Sequence, residues 1–323
     1  MARRSVLHWL TGAAGLLLAA VAAGQTYPER PVRLIMASAV GGGTDTMGRI
    51  MAAALSEQLG QQFVPENRPG AGGQIATASV TKSPPDGYTL LFAAGQSLVI
   101  HPHTYASLPY NVARDLAPIT LVGASDYILA VHPSLPVRSP KDLVALARAK
   151  PGALAFGSSG NSSIPHLAGE LFKQVAKVNM LHVPFKGGGP AVIAILSGEI
   201  SLIFGSGPTV VRHGTSGKLR LVATCSDKRT RMLPNVPAMG ETLKGIEVSS
   251  WYSIQAPAGT PREVITRIHA AAIKAVAEPK VVKVMAAEGV EPLTMTPEEL
   301  AAFLRAETAK WGKVVRAAGL RPQ

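Results

Sequence analysis

The chain has 323 residues, of which 47% are hydrophobic and 5% aromatic, and its formal net charge is +12. This length is enough for about two domains with a substantial core. Because the basic residues are scattered and the aromatic residues are few, the composition argues against a nucleic-acid partner and leaves a general attraction for anions.

The first 24 residues have the features of a secretory signal peptide. Arg3 and Arg4 precede the apolar run "GAAGLLLAAVAA", and the small residues Ala22 and Gly24 offer a cleavage point before Gln25. The run is shorter than the roughly 20 apolar residues of a membrane-spanning helix. No cysteine follows it, which argues against a lipoprotein anchor. We therefore expect export to the periplasm, with the general secretory and twin-arginine routes both open.

Residues 31–39, "PVRLIMASA", predict a strand, and "VGGGTD" separates it from a predicted helix. The helix has an apolar face with spacings of three and four residues, and a glycine marks its end. The residues of that face are Met47, Ile50, Met51, Ala54 and Leu55, and the terminal glycine is Gly60. "FVPEN", "YTLLFAA" and "LAPITLV" predict further strands, "GGQIATASVTK" a helix and "PPDG" a turn.

The order of strand, glycine loop and helix returns three times later in the chain. "LAFGSSGNSS" leads into "IPHLAGELFKQV", "LHVPFKGGG" into "PAVIAILSGEI", and "SLIFGSGP" into "TVVRHG". This alternation predicts an α/β fold with a mostly parallel sheet and helices on both sides. Ligands of such folds bind at the carboxyl ends of the strands, where these loops lie.

Three helix starts share one capping pattern. "SPKD" begins at Ser139, "TPRE" at Thr260 and "TPEE" at Thr296. Each has a hydroxyl residue at the N-cap, proline at the first helical position and an acid at the third. The last one opens a long helix whose apolar stripe is interrupted by Glu307, so we expect that stripe to be only partly buried.

The glycine loops lack the residues of nucleotide and hydrolase sites. Gly43 and Gly48 have the P-loop spacing, but Arg49 and Ile50 stand where lysine and serine or threonine are needed. Gly41 and Gly43 lack the third glycine of the dinucleotide fingerprint, and "GSSG" is not a nucleophile elbow. What is left is the general affinity of helix N-termini for anions. One such loop is usually a tight turn, whereas several at one sheet edge predict an anion site.

The sequence predicts no metal or cofactor. Cys225 is the only cysteine, which excludes an intramolecular disulfide, and its setting predicts a buried, unreactive thiol. His101 and His103 are close in sequence but have no acidic neighbour, so we expect a surface loop there. His166 either faces the glycine loop before it or is a solvated or capping histidine.

Two groups of polar residues need their own interpretation. Asp45 either caps its helix, orients the loop, or meets a ligand amine or a bridging water. Ser158, Ser159, Ser162 and Ser163 fit hydroxyl donors around an anion better than nucleophiles. A polar helix-capping loop is the equally weighted alternative for them.

Seven motifs in order resemble one family. They are "YPERPVRLIMAS…GGGTD", "ENRPGAGG", "PPDGYTLL", "GSSGNSS..HLAGELFK", "HVPFKGGGPA", "LPNVPAMGE" and "APAGTP". The chain is similar, from about Tyr27 to its end, to the Bug/TctC family of extracytoplasmic solute receptors of tripartite tricarboxylate transporters. The resemblance implies the type II periplasmic-binding-protein fold, with two α/β lobes, a cleft and a hinge of two crossing strands. It places the crossings near 120–127 and 247–254, lobe I at 25–124 and 250–323, and lobe II at 125–249.

The resemblance also implies a ligand site. Members of the family hold small carboxylates through loop N–H groups, hydroxyls and ordered waters. Carried over by motif, with Gln96 added from its position near the cleft, the expected ligand-binding residues are Gly42, Gly43, Thr44, Asp45, Gly72, Gly73, Gln96, Ser158, Ser159, Gly160, Asn161, Ser163, Lys186 and Gly187.

The function that follows is a monomeric, non-enzymatic receptor for a mono- or dicarboxylate. It would present its ligand to the membrane permease subunits of a tripartite tricarboxylate transporter. A sensory receptor that docks on a sensor kinase is the alternative. An exported hydrolase or transferase is less favoured, because the corresponding motifs are absent.

Several departures from the family pattern bear on specificity. "ASAVGGGTD" replaces the frequent "PFPPGGGTD", which predicts a wider opening. Gly205 replaces a frequent aspartate, which argues against amino-acid ligands. Phe185 replaces a tyrosine, and Gln96 and Ser97 lie in a segment that differs from the common pattern.

Overall fold

The computed structural model describes residues 27–317, so the predicted signal peptide lies outside the described residues. The strands within this range are β1 (Val32–Met36), β2 (Phe63–Asn67), β3 (Thr89–Ala94), β4 (Leu116–Val131), β5 (Ala155–Ser158), β6 (Leu181–Pro184), β7 (Leu202–Ser206), β8 (Arg220–Thr224), β9 (Ser249–Pro257) and β10 (Glu291–Pro292). The helices are α1 (Gly43–Leu59), α2 (Gln74–Thr81), α3 (His101–Thr104), α4 (Val112–Asp115), α5 (Pro140–Ala149), α6 (Ile164–Ala176), α7 (Gly188–Leu196), α8 (Gly207–Thr215), α9 (Arg262–Ala277), α10 (Pro279–Ala287) and α11 (Pro297–Ala317). Among these helices, none combines the length and the apolar character that a membrane crossing requires.

The strands follow the order β2-β1-β3-β9-β4-β7-β5-β6, with β8 and β10 also paired to β4. At the two ends of this path the strands are parallel: β1 with β2 and β3, and β5 with β6 and β7. The central strands β4 and β9 run antiparallel to all their partners. The prediction of a mostly parallel sheet is therefore wrong, because the strands that join the two halves run against the others.

Two neighbouring chain passages connect the halves of the sheet. β4 pairs with β9 up to Asp126 and with β7 and β8 from Tyr127 onward. The returning chain reaches Val248, whose carbonyl accepts the N–H of Tyr127 at 2.9 Å. We call the part built on β1, β2, β3, β9 and β10 lobe I and the part built on β5–β8 lobe II. The partner change falls inside the segments that the sequence assigns to the crossings, while the stated lobe boundaries stay a prediction.

Helix α1 forms as its sequence predicts. Met47, Met51 and Leu55 are fully buried and belong to the same core cluster as Leu34 and Phe92 of the sheet. Burial of each such side chain contributes about 1.5–3 kcal/mol to folding. The helix ends at Gly60, which adopts the left-handed conformation (φ 68°) and donates its N–H to the carbonyl of Ser56.

The three predicted caps differ in outcome. Ser139 caps α5 and Thr296 caps α11, each accepting the N–H of the residue three positions later. Thr260 does not cap α9: its hydroxyl donates to the carbonyl of Pro257 at 2.8 Å, and Pro261 occupies the N-cap. The Thr260 hydroxyl therefore forms a hydrogen bond with a carbonyl at the end of β9, in place of the bond to a helix N–H that the motif predicts.

Three further predictions concern Glu307, the histidine pair and Cys225. Glu307 accepts the indole N–H groups of Trp251 (3.4 Å) and Trp311 (3.1 Å). The carboxylate that interrupts the apolar stripe of α11 therefore has hydrogen-bond donors where it lies. The surface loop predicted for the histidine pair is wrong at His101, which has no exposed surface. Cys225 is buried as predicted, and burial raises the pKa of its thiol.

Candidate functional site

A cavity of about 670 Å³ lies between the lobes. Its lining includes most of the residues that the sequence predicts, from both lobes. They are Gly42, Gly43, Thr44, Gly72, Gly73 and Gln96 of lobe I, and Ser158, Ser159, Gly160, Asn161, Lys186 and Gly187 of lobe II. Asp45 and Ser163 do not line it; both support the loops that do.

Asp45 fixes the first glycine loop from behind. Its side chain is 6% exposed, and its carboxylate accepts the N–H of Gly41 at 2.8 Å. The other oxygen accepts from Arg49 at 2.9 Å and from the amide of Asn67 at 3.0 Å. All three donors belong to lobe I. Of the alternatives for Asp45, this geometry matches the one in which its carboxylate orients the glycine loop.

The second glycine loop requires its glycines for conformation and for space. Gly72 and Gly73 have φ values of 59° and 94°, which L side chains rarely adopt. A Cβ on Gly72 would lie 2.2 Å from Nε2 of Gln96 and 2.8 Å from Nε2 of His101. These two Nε2 atoms are buried and have no hydrogen-bond partner among the described residues.

The loop between β5 and α6 supplies the polar residues of lobe II. Ser163 is fully buried and caps α6 by accepting the N–H of His166 at 3.3 Å. His166 turns back toward the loop, since its Nδ1 accepts the N–H of Ser162 at 3.0 Å. Ser158 closes the strand side, with its Oγ 2.7 Å from Nε2 of His182.

Five helices begin at the cavity wall. α1, α2, α6, α7 and α8 start at Gly43, Gln74, Ile164, Gly188 and Gly207, and residues at or next to each start line the cavity. The N-terminal end of a helix carries a partial positive charge and free N–H groups. Their convergence from both lobes favours an anionic ligand.

The charged side chains of the lining also favour a negatively charged ligand. Among the described residues that form it, Lys186 is the one charged side chain, and neither aspartate nor glutamate occurs. Gly205, where the family resemblance predicts an acid, also lines the cavity. The wall can therefore balance a carboxylate, whereas it offers no charge to balance an amine.

A hydroxyl cluster that the sequence analysis missed lies opposite the start of α1. A Cβ on Gly43 would be 2.4 Å from Oγ of Ser206, 3.0 Å from Oη of Tyr252 and 3.1 Å from Oγ1 of Thr209. Burial raises the pKa of Tyr252, which keeps its phenol a donor. The strand–glycine–helix order of "FGSGPT" could have indicated Ser206 and Thr209. Tyr252 lies on β9 and looks like a core residue in the sequence.

The rest of the wall is largely apolar. Tyr105, Tyr127, Ile164, Phe185 and Phe204 line it together with the polar groups. A ligand that fits both parts has an anionic end and a carbon skeleton.

The two lobes touch beside the cavity. A Cβ on Gly189 would lie 2.2 Å from the carbonyl oxygen of Val40, and one on Gly187 would lie 2.8 Å from Cβ of Ala39. A side chain at Gly189 would not fit against this backbone. In the described conformation the two lobes are therefore in direct contact beside the cavity.

Comparisons with known proteins agree with this arrangement. The family described as "Tripartite tricarboxylate transporter family receptor" matches residues 47–320. Protein BugT of Bordetella pertussis is 37% identical over 308 residues, covering 94% of each chain. The R. palustris protein Rpa4515, solved with adipate, superposes with a TM-score of 0.89 at 33% identity, covering 92% of this chain and all of that one. The periplasmic binding protein BugD superposes with a TM-score of 0.88 at 31% identity, with the same coverage.

Proposed function

This chain belongs to the tripartite tricarboxylate transporter receptor family, and we propose that it captures a small organic carboxylate in the periplasm and delivers it to a permease of that transporter type. The family is one of solute-binding receptors, so the chain is a receptor and not an enzyme. The proposal adds the ligand class, the partner and the location. It also keeps the predicted lobes, 25–124 with 250–323 and 125–249, and a monomeric state.

One observation carries the ligand class. Helix N-termini from both lobes and a single lysine surround a cavity whose described lining contains no acidic side chain. When the lobes close around an acid of net charge −1 or −2, its carboxylate accepts hydrogen bonds from these N–H groups and from the lysine. An amino acid would place its ammonium group against the same positive ends. We therefore propose a mono- or dicarboxylate without an amine, and the adipate bound to Rpa4515 is an acid of this type.

A thermal-shift screen of the chain from Gln25 onward tests the proposal. Ligand that binds only the folded state raises the midpoint by mass action. We expect shifts with acids such as adipate, malate or benzoate and none with lysine or ATP. A screen in which nucleotides shift the midpoint and no carboxylate does would contradict the ligand class.

Two lysine variants sharpen the screen. Lys186→Met removes the charge at the cavity and should reduce the shift by acids, because charge-assisted contacts are the stronger ones. Lys141→Met makes the same change on the exposed side of α5 and should leave the shift unaltered. Equal shifts in both variants would show that Lys186 does not contribute to binding.

The permease partner needs a separate experiment. Transport of the labelled acid into cells should require both this chain and a tripartite tricarboxylate permease. Uptake that is unaffected by deletion of the permease, together with altered gene expression through a sensor kinase, would favour the sensory alternative.

A further inference from the structure

We propose that His166 and His182 are positioning residues of the ligand cavity, an uncharged stacked pair that holds the lobe II loop in shape and releases it when protonated. The loop consists of residues 157–163, between the body of β5 and α6. The inference rests on the proposed function, since it concerns the same cavity. It adds two residues that do not line the cavity, and a dependence of affinity on pH.

The loop contains a residue in an unfavourable conformation. Ser162 has φ +57°, in the left-handed region, which costs of the order of 1 kcal/mol for a residue other than glycine. It is 6% exposed, so its N–H cannot rely on solvent. The N–H donates to Nδ1 of His166 at 3.0 Å. This bond offsets the cost of the conformation and fixes the turn that presents Asn161 and Gly160 to the cavity.

The strand side of the loop depends on the second histidine. Nε2 of His182 lies 2.7 Å from Oγ of Ser158, which is 1% exposed and lines the cavity. The same oxygen accepts the N–H of Gly160 at 3.1 Å and lies 2.9 Å from the carbonyl of Gly160. His182 thus fixes a hydroxyl that closes the loop on itself.

The two imidazoles form one unit. Their ring centroids are 3.9 Å apart at an interplanar angle of 13°, and the ring of His182 also packs against that of Phe156, with a centroid distance of 5.0 Å. The charged groups that face the pair are Glu170 and Lys173, both on α6. Glu170 lies 3.8 Å from Nε2 of His166, but its nearest cation is Lys173 at 2.8 Å.

The surroundings keep the pair uncharged at neutral pH. Burial, then the charge of His166 and of Lys173, lower the pKa of His182 to about 4. Burial and Lys173 also lower the pKa of His166, against the opposing effect of Glu170. Two positive rings in face-to-face contact would repel each other, so protonation of one disfavours protonation of the other.

Protonation breaks the loop contact at a defined atom. Nδ1 of neutral His166 accepts the Ser162 N–H, and a protonated Nδ1 is itself a donor. The Ser162 N–H then loses its acceptor inside a buried turn. Because its surroundings lower the pKa of His166, we expect the loop to leave its cavity-lining conformation only on acidification below the ordinary imidazole range, and ligand affinity to fall with it.

Hydrogen exchange at the Ser162 amide tests the positioning role without any ligand. His166→Ala removes the acceptor, whereas His166→Asn keeps an oxygen near the position of Nδ1 that does not protonate. At pH 7 we expect at least tenfold faster exchange in His166→Ala and near wild-type exchange in His166→Asn. His132→Ala, elsewhere in lobe II, is the matched control and should leave the amide unchanged. Wild-type exchange in His166→Ala, or equal acceleration in the Ala and Asn variants, would overturn the proposal.

Affinity as a function of pH tests the release. Adipate is titrated into the wild type and into the double variant His166→Asn/His182→Gln between pH 7 and pH 4.5. The acid's own protonation affects both proteins equally. We expect the wild type to lose at least three times more affinity than the double variant, and parallel losses would overturn the release. If the wild type binds no carboxylate in the screen above, the proposed function fails, while the exchange experiment still decides the positioning role.

Discussion

The carbonyl oxygen of Val40 in lobe I occupies the space that a side chain on Gly189 of lobe II would need, only 2.2 Å from an ideal Cβ. The two lobes are thus in backbone contact, between the loop before α1 and the first turn of α7. A receptor that holds its ligand by closure depends on how much better the closed state binds it.

We expect Gly189→Ala to weaken carboxylate binding by about tenfold or more, which corresponds to roughly 1.4 kcal/mol. The added methyl cannot fit without separating the loops, and Val40 offers backbone, which cannot rotate away. Stability of the unliganded protein should not fall, because alanine is favoured over glycine within a helix. Calorimetric titration and thermal unfolding measure the two quantities.

Gly188→Ala is the matched control for that experiment. A Cβ on Gly188 would meet its nearest atom, Cα of Gly42, at 3.6 Å, an ordinary contact distance. Gly188 lines the cavity, so Gly188→Ala adds a methyl group near the wall without the clash between the lobes, and it should bind more tightly than Gly189→Ala. Equal affinities for the Gly189 and Gly188 variants would show that the contact between Val40 and Gly189 is not needed for binding.

Asp45→Ala should lower both stability and affinity, since its carboxylate accepts the Gly41 N–H at 2.8 Å from a site that is 6% exposed. Loss of a buried acceptor for such donors costs about 1–3 kcal/mol. Because Asp45 acts on the loop, affinity should fall by a similar factor for every carboxylate. Arg49→Ala removes only the half-exposed partner and should cost less than about 1 kcal/mol. A ligand-selective loss in Asp45→Ala would instead indicate direct contact with the ligand.

The sequence predicted those features that local chemistry determines. The apolar spacing of Met47, Met51 and Leu55 and the stop at Gly60 predicted α1, and the glycine loops predicted much of the cavity lining. Local patterns could not predict the length of β4, because its second half pairs with β9 up to Asp126 and with β8 from Ile128, and both partners are distant in sequence.

Side chains whose role depends on distant neighbours were missed for the same reason. His101 was expected in a surface loop because Pro102 separates it from His103 and no acidic residue is near, yet the tertiary fold buries it completely. Tyr252 carries no local signal of a binding site in the sequence of β9, yet its hydroxyl lies near the start of α1. Thr260 carried the capping motif, but the end of β9 offered its hydroxyl a closer acceptor.

The buried imidazole of His101 should make the free energy of unfolding depend on pH. Burial lowers its pKa to about 4, whereas the unfolded chain has the ordinary value of 6.5. Above pH 6.5 both states are neutral and the contribution is complete. As the pH falls from 6.5 to about 4, the unfolded chain binds a proton that the folded protein does not. Stability is therefore lost on acidification, by up to about 3 kcal/mol from this residue.

His101→Phe isolates that contribution. Both ring nitrogens of His101 lack hydrogen-bond partners among the described residues, so an apolar ring should be tolerated at pH 7. Urea unfolding at pH 4.5 and pH 7 should show a smaller difference in the variant than in the wild type. His132→Phe, at a half-exposed site, should keep the wild-type difference. An unchanged pH dependence in His101→Phe would mean that His101 is protonated in the folded protein.

Gln96 should determine how the cavity binds the polar end of its ligand. Its Nε2 is buried at the cavity wall beside Gly72 and has no partner among the described residues, so it is a donor available to a carboxylate. Gln96→Leu removes the donor and should reduce adipate affinity by about three- to tenfold, the effect of one hydrogen bond.

Gln96→Glu keeps the size but replaces the donor by a negative charge, in a wall whose described residues include no other acid. Since like charges at close range disfavour each other strongly, the Glu variant should bind at least tenfold more weakly than the Leu variant. Calorimetric titration at pH 7 ranks the three proteins. Wild-type affinity in Gln96→Glu would place the carboxylate elsewhere in the cavity, next to the hydroxyls of Ser206 and Tyr252 at the start of α1.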